Sequence, residues 1–488
     1  MERLVFGYGT GGHNGEAPKA DGLRPKAATP VGKEVASAFS RKHAAEREPR
    51  DWAFLGLMAF TALLFFRPQD FVRPLGSLHL AEVAAVFALG ALIARRLGRG
   101  LTVTRLTPEL VGVFAFAGIM LATAPFAVWM GGAVSTFTGQ YAKVVLIFVL
   151  MVNTLTSPRR VEQFTWLIVI ASGYIAALTV LDYARGVNLI ENGRVQGAVG
   201  GMFKNPNDLA LNMVAVLPLA GAFIFRLISP IRRGTAALAA TLMLFAVVAT
   251  QSRAGTVGLV AMVLVLAATV VKRRPGVVFG GALAAMLALP LLPSAYWQRI
   301  ASITDKNLDQ TGSREARSIL LRESFDAFVA HPLTGVGAGQ FKNYNPDGRQ
   351  EAWRESHNAV LQVASELGLG GLIIFGFLLA RGMSGPIQTR RLLRRFDGGR
   401  GHQRKGAVPA LDPRERELLT THAEALSAAL AGWFVCALFA SVAYHWTFYY
   451  LLALATLPRE YLLGRMADAR LQPPVVAGRT QAAVGLSA

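Results

Sequence analysis

The chain has 488 residues, 53% of them hydrophobic and only 16% charged, with a mean hydropathy of +0.39. Soluble domains carry nearer a quarter charged residues, and long apolar runs recur here along most of the length, so the composition excludes a soluble globular protein and reads as an all-α, polytopic membrane helix bundle rather than an alternating β-barrel. The net charge of +20 does not signal nucleic acid, because the lysines and arginines lie in short runs between apolar segments.

Residues 1–51 are rich in Gly, Ala, Lys and Arg and lack the apolar core of a signal peptide. They are expected to form a basic, disordered cytoplasmic tail. The apolar segments that follow predict about twelve membrane helices. Their spans are 52–67, 79–96, 109–129, 141–156, 162–182, 208–226, 234–251, 254–271, 276–294, 358–380, 421–443 and 447–464. The chain therefore divides into helices one to nine over 52–294, a large loop with short helices over 295–357, helices ten to twelve over 358–465 and a tail over 466–488.

Basic runs at Arg95-Arg96, Arg159-Arg160, Arg232-Arg233, Lys272-Arg273-Arg274, Arg390-Arg391 with Arg394-Arg395, and Arg459 to Arg465 fall at every second connection. By the positive-inside rule that side is cytoplasmic, with both termini inside and the large loop on the periplasmic side. A basic connection over about 381–420 reads as a flexible linker. Cys436, the lone cysteine, lies in an apolar run and reads as a small core residue. It leaves no disulfide and no cysteine metal cluster, and with no His-Glu-x-x-His and no phosphate loop, no metal or other cofactor is expected.

The polar residues with chemical potential gather on the outer side. Arg253 lies in the tight turn Gln251-Ser252-Arg253, either snorkelling to lipid phosphates or holding an anion in a cavity. Within the large loop, an amphipathic helix over 314–329 carries Arg317 and Arg322, with Ile319, Leu320, Phe325 and Phe328 as its apolar set. These two arginines are five residues apart and so point about 140° apart on a regular helix. Arg314 competes with Arg317 for the same role. Arg194 and Lys204 are further anion contacts, and in Asn205-Pro206-Asn207-Asp208 either Asn207 or Asp208 caps the next helix.

His357, followed by Asn358, stands where the loop enters a membrane helix. An imidazole there can take a proton from a sugar hydroxyl, and arginines suit a departing diphosphate. Glu366 lies nine residues further on, about 13 Å deeper along the helix, and reads as structural.

Ser356-His357-Asn358-Ala359-Val360-Leu361-Gln362, with Glu366-Leu367-Gly368-Leu369-Gly370-Gly371, resembles the His-Asn helix entrance of the bacterial O-antigen ligase and polymerase superfamily. His331-Pro332-Leu333-Thr334-Gly335-Val336-Gly337 is similar to the turn before it there, and Ser252-Arg253, Asn205-Pro206-Asn207-Asp208 and Arg67-Pro68-Gln69 resemble further family features. The resemblance covers roughly residues 52–465 and implies a metal-independent membrane glycosyltransferase, GT-C-like, in the bacterial inner membrane.

Such an enzyme takes its glycan from an undecaprenyl-diphosphate carrier at the periplasmic face. Lipid A core, a polysaccharide end or a protein hydroxyl all fit as acceptor, so lipopolysaccharide ligation and exopolysaccharide polymerisation stay open. His357 is then the catalytic base or acceptor-positioning group. Arg253 and Arg317 hold the diphosphate, helped by Arg194, Lys204 and Arg322, while Asn358, Asn207 and Glu366 support the site. The competing readings are a polytopic transporter and a non-catalytic part of a polysaccharide export system. The one-sided placement of the polar residues favours surface chemistry over transport.

Overall fold

Among the described residues seven helices open on a side-chain cap, and five of those caps stand directly before proline. The structure, a computed structural model, describes residues 50–190, 193–226, 228–303, 305, 313–398 and 411–471. The expected tail over 1–51, apart from its last two residues, and residues 472–488 lie outside the described residues.

The helices are α1 (Trp52–Phe66), α2 (Leu80–Leu97), α3 (Pro108–Thr123), α4 (Met130–Thr154), α5 (Pro158–Arg185), α6 (Pro206–Ile224), α7 (Pro230–Thr250) and α8 (Arg253–Val270). They continue with α9 (Pro275–Ala288), α10 (Ser313–Ala330), α11 (Ala359–Gly398), α12 (Pro413–Ala437) and α13 (Trp446–Leu471). Proline suits the first helical position because its missing N–H would have no partner there. The preceding Thr107, Ser157, Asn205, Ser229 and Asp412 accept a backbone N–H from the first turn of α3, α5, α6, α7 and α12. The α6 cap is therefore Asn205, not Asn207 or Asp208. Those two lie inside the helix behind Pro206, and Asn205 Oδ1 accepts from Asn207 N at 2.9 Å.

Among the described residues nine helices are long and apolar enough to cross a membrane: α1 to α8, and α11. The chain is a multi-pass membrane protein of all-α architecture, and its described residues add one two-residue antiparallel ribbon, β1 (Leu189–Ile190) against β2 (Arg194–Val195). The other three expected spans are also helices but differ in kind. The apolar segment at α9 is short and buries none of its side chains. Helices α12 and α13 are long but more polar, and they are packed inside the protein instead of facing lipid, which is why they tolerate His422, Glu424 and Arg459 at 4–6% exposure. Buried Glu109 of α3 pairs with Arg381 of α11 at 2.6 Å and with Arg459 of α13 at 3.2 Å, tying three helices together at one end.

Two further expectations change. Helix α11 runs on to Gly398 and α12 begins at Pro413, so most of the linker expected over 381–420 is helical. In α10 the buried line is Ala316, Leu320, Ser324 and Ala327, at i, i+4, i+8 and i+11, whereas Phe325 is 54% exposed.

Helix α11 is broken at Gly368, whose φ of 65° and ψ of −163° are non-helical. Breaking a helix frees carbonyls and N–H groups that lipid cannot satisfy. The His331–Gly339 turn satisfies them: Val336 N donates to Ser365 O and Gly337 N to Glu366 O, both at 2.9 Å, and Leu369 N donates to Pro332 O at 2.7 Å. Only glycine fits at 335, where φ is 63° and a Cβ would sit 2.2 Å from the Glu366 carbonyl carbon. The periplasmic loop of the sequence reading is thus docked into a membrane helix at its break.

Candidate active site

Arg253 is positioned by a chain of caps. Ser252 caps α8 by accepting from Gly255 N at 3.1 Å, and its Oγ donates to Asn207 Oδ1 at 2.8 Å. Arg194 Nη2 donates to the same Asn207 oxygen at 3.0 Å, and its Nε donates to Thr250 O at 3.2 Å. The turn is held so tightly that Gln251 adopts a left-handed φ of 49°. Helix α8 lies close against α12, since a Cβ at Gly258 would meet Cys436 Sγ at 2.2 Å. Arg253 itself reaches outward from this frame, and its Nη1 donates to Ser302 Oγ at 3.0 Å.

His357 is held by the opposite wall. Asn358 caps α11, its Oδ1 accepting from Val360 N at 2.9 Å and Leu361 N at 3.0 Å. Its Nδ2 donates to Leu438 O at the end of α12, at 3.2 Å. His357 N donates to Ser441 Oγ at 2.9 Å. The histidine backbone is left-handed, with φ 51°, a strained conformation that tight anchoring on both sides maintains.

These walls and α10 enclose a cavity of about 270 Å³ lined by Arg253, Arg314, Arg317, Ser356 and His357, with Val257, Ile303, Leu321, Leu438 and Phe439 as its apolar part. Arg314, Arg317, Ser318 and Leu321 fall at i, i+3, i+4 and i+7, one face of α10. Arg314 and Arg317 therefore both line the cavity instead of standing as alternatives. Burial, and then the charges of Arg317 and Arg354, hold the His357 imidazole down at about 4. The ring is neutral at physiological pH and open to accept a proton.

The other sequence candidates lie elsewhere. Arg322 points off the cavity, with 86% of its side chain exposed and Asp326 4.0 Å away. Arg194 and Asn207 hold the turn behind Arg253, and Lys204 is exposed beyond the cavity lining. Glu366 accepts from Gly339 N at 2.7 Å and Tyr444 Oη at 2.8 Å, clamping the docked turn.

Sequence reasoning missed Glu355, Ser441 and Arg349. Glu355 lines a second cavity, of about 430 Å³, with Arg67, Lys143, Asp208, Tyr444 and His445. Burial raises its carboxyl above the usual range. Arg349 stacks 4.4 Å over the Phe341 ring and pairs with Glu323 at 3.4 Å, pinning the end of the loop to α10. The only sequence signal for Arg349 and Glu355 was the unusual density of charge in residues 342–357, and Ser441 had none.

Residues 238–376 match the O-antigen ligase family model. No curated protein matches the chain. The matched segment carries Arg253, Arg314, Arg317 and His357, so the part of the chain that gives the cavity its polar lining is the part similar to the O-antigen ligase family.

Proposed function

We propose that the protein transfers a glycan from an undecaprenyl-diphosphate carrier to an acceptor hydroxyl at the periplasmic face of the bacterial inner membrane, with both termini cytoplasmic. The observation that carries this reading is the cavity in which three arginines and His357 meet on partly apolar walls. Its charge suits a diphosphate and its apolar part suits the prenyl chain beside it. Arg253, Arg314 and Arg317 hold the two phosphates. The neutral His357 ring accepts the acceptor's hydroxyl proton as the new C–O bond forms at the anomeric carbon. The bond from that carbon to the phosphate oxygen breaks, and its electron pair leaves on the diphosphate, where the arginines stabilise it. No resident metal or cofactor enters this scheme. The second cavity, lined by Glu355 two residues before His357, offers the acceptor's sugar a polar site.

The test is transfer by the purified protein in lipid nanodiscs, using an undecaprenyl-diphosphate-linked oligosaccharide and isolated lipid A core or polysaccharide as acceptor. His357→Ala is expected to lower turnover by about 10²–10⁴-fold, the usual contribution of a positioned general base. Donor affinity should stay within a few-fold of wild type. Undiminished turnover in that variant would refute the mechanism, and a deletion strain with unaltered surface glycan would refute the function.

A further inference from the structure

Helices α8, α11 and α12, which frame the candidate active site with one end, meet again at the other end around a third cavity, polar and of about 550 Å³. Arg273 stands just past the end of α8, Arg390 and Arg394 near the end of α11, and Arg416 near the start of α12. From Arg253 to Arg273 the chain climbs about 30 Å, one membrane thickness, so the two cavities face opposite membrane surfaces.

Two carboxylates share the lining, Glu417 and Glu424, and both already have cationic partners. Glu424 Oε1 accepts from Arg273 Nη1 at 2.8 Å, and Glu417 Oε1 accepts from Arg274 Nη2 at 3.3 Å. Arg390 and Arg394 therefore leave the lining with surplus positive charge. Arg390 and Arg394 are one helical turn apart, where like charges repel unless an anion lies between them. The N-terminus of α12 opens on the same space at Pro413 and adds the positive end of its dipole. Leu393 and Leu411 form the apolar floor. The positive-inside rule explains how many arginines stand at this end of the bundle. It does not explain why those of three separate helices converge on one cavity.

We propose that this cavity binds a phosphate group, either the headgroup phosphate of an anionic phospholipid in that leaflet or a free phosphorylated solute. The site lies a membrane thickness from the proposed chemistry and does not depend on it. The test is thermal unfolding of the full chain in two arms. One compares nanodiscs of phosphatidylcholine with nanodiscs containing phosphatidylglycerol. The other adds inorganic phosphate or chloride, at matched ionic strength, to protein in detergent.

Arg390→Gln/Arg394→Gln is expected to lose at least half of the anion-dependent rise in Tm. Arg391→Gln/Arg395→Gln, which removes the same charge from the same helix away from the cavity, is expected to keep it. A rise with phosphatidylglycerol alone assigns the headgroup, and a rise with inorganic phosphate as well assigns a free phosphate ligand. Equal losses in the two double variants, or no rise in either arm, overturn the proposal. Should the first double variant fold poorly, Arg394→Gln alone alters an exposed side chain and is expected to lose part of the same rise.

Discussion

Arg317 and Arg322 provide an internal comparison on a single helix. Both were expected to contact the donor, yet Arg317 lines the cavity and Arg322 is 86% exposed on another face of α10. A charge-assisted hydrogen bond to a diphosphate oxygen contributes about 1.5–3 kcal/mol, so Arg317→Gln should weaken donor affinity by about 10–150-fold. Arg322→Gln loses only an exposed pair with Asp326, worth about 0–1 kcal/mol to stability, and should leave donor affinity within about two-fold.

The same substitution has a second, independent readout. Arg317 helps hold the His357 pKa at about 4, after the larger effect of burial. Removing that charge lets the pKa climb toward its ordinary value. A base works only when deprotonated, so activity falls as pH drops through its pKa. The acid limb of kcat/KM should therefore lie near the low wild-type value and move to higher pH in Arg317→Gln. Donor binding in nanodiscs and a pH profile of transfer decide both points. Equal losses in the two variants, or an acid limb that does not move, would refute the placement of Arg317 beside both the diphosphate and His357.

Substitutions at four other positions test the frame. Gly335→Ala drives a Cβ to 2.2 Å from the Glu366 carbonyl carbon at a left-handed φ, and should cost more than about 2 kcal/mol, seen as a large fall in Tm. Gly90→Ala, with nothing within 4 Å, should be neutral or stabilising by up to about 1 kcal/mol in the same assay. Asn358→Ala removes the α11 cap and should lower stability by about 0.5–2 kcal/mol, together with turnover, while Asn358→Asp, which keeps the accepting oxygen, should recover most of both. Glu366→Leu strands Gly339 N–H and Tyr444 O–H, costing about 1–3 kcal/mol each, and should reduce folded yield without a specific loss of donor affinity.

Helix positions were legible because apolar runs are local signals, and the gathering of polar residues on one side followed from where the basic runs fall. Membrane exposure was not legible. Helices α12 and α13 read as ordinary spans, but their His422, Glu424 and Arg459 are tolerated only because neighbouring helices surround them. The linker over 381–420 misread for the opposite reason: arginine and leucine are good helix formers, so α11 simply continues through its basic end. In the site, single-residue chemistry pointed to Arg253 and His357. The pairing of Arg314 with Arg317 needed the axial rotation of α10, which is fixed by its small buried line, Ala316, Ser324 and Ala327 around Leu320, and not by its large apolar residues.

That rotation shows how the site is kept in register. Helix α10 has few large residues to anchor it, yet it must aim two arginines at a histidine on another element. The loop supplies the missing constraint. Glu323 of α10 accepts from Gln350 N at 2.6 Å and pairs with Arg349, which is stacked on Phe341. Phe341 in turn follows the turn whose backbone is bonded into the break of α11 at Ser365 and Glu366. Eight residues before Glu366, Asn358 caps the same helix and carries His357 at its tip. The glycine break in α11 is thus the common reference for both sides of the cavity: it orients the arginines through the loop and the histidine through the helix. A rigid, unbroken α11 would present no carbonyls to the loop, and α10 would lose its register to His357 even with every arginine in place.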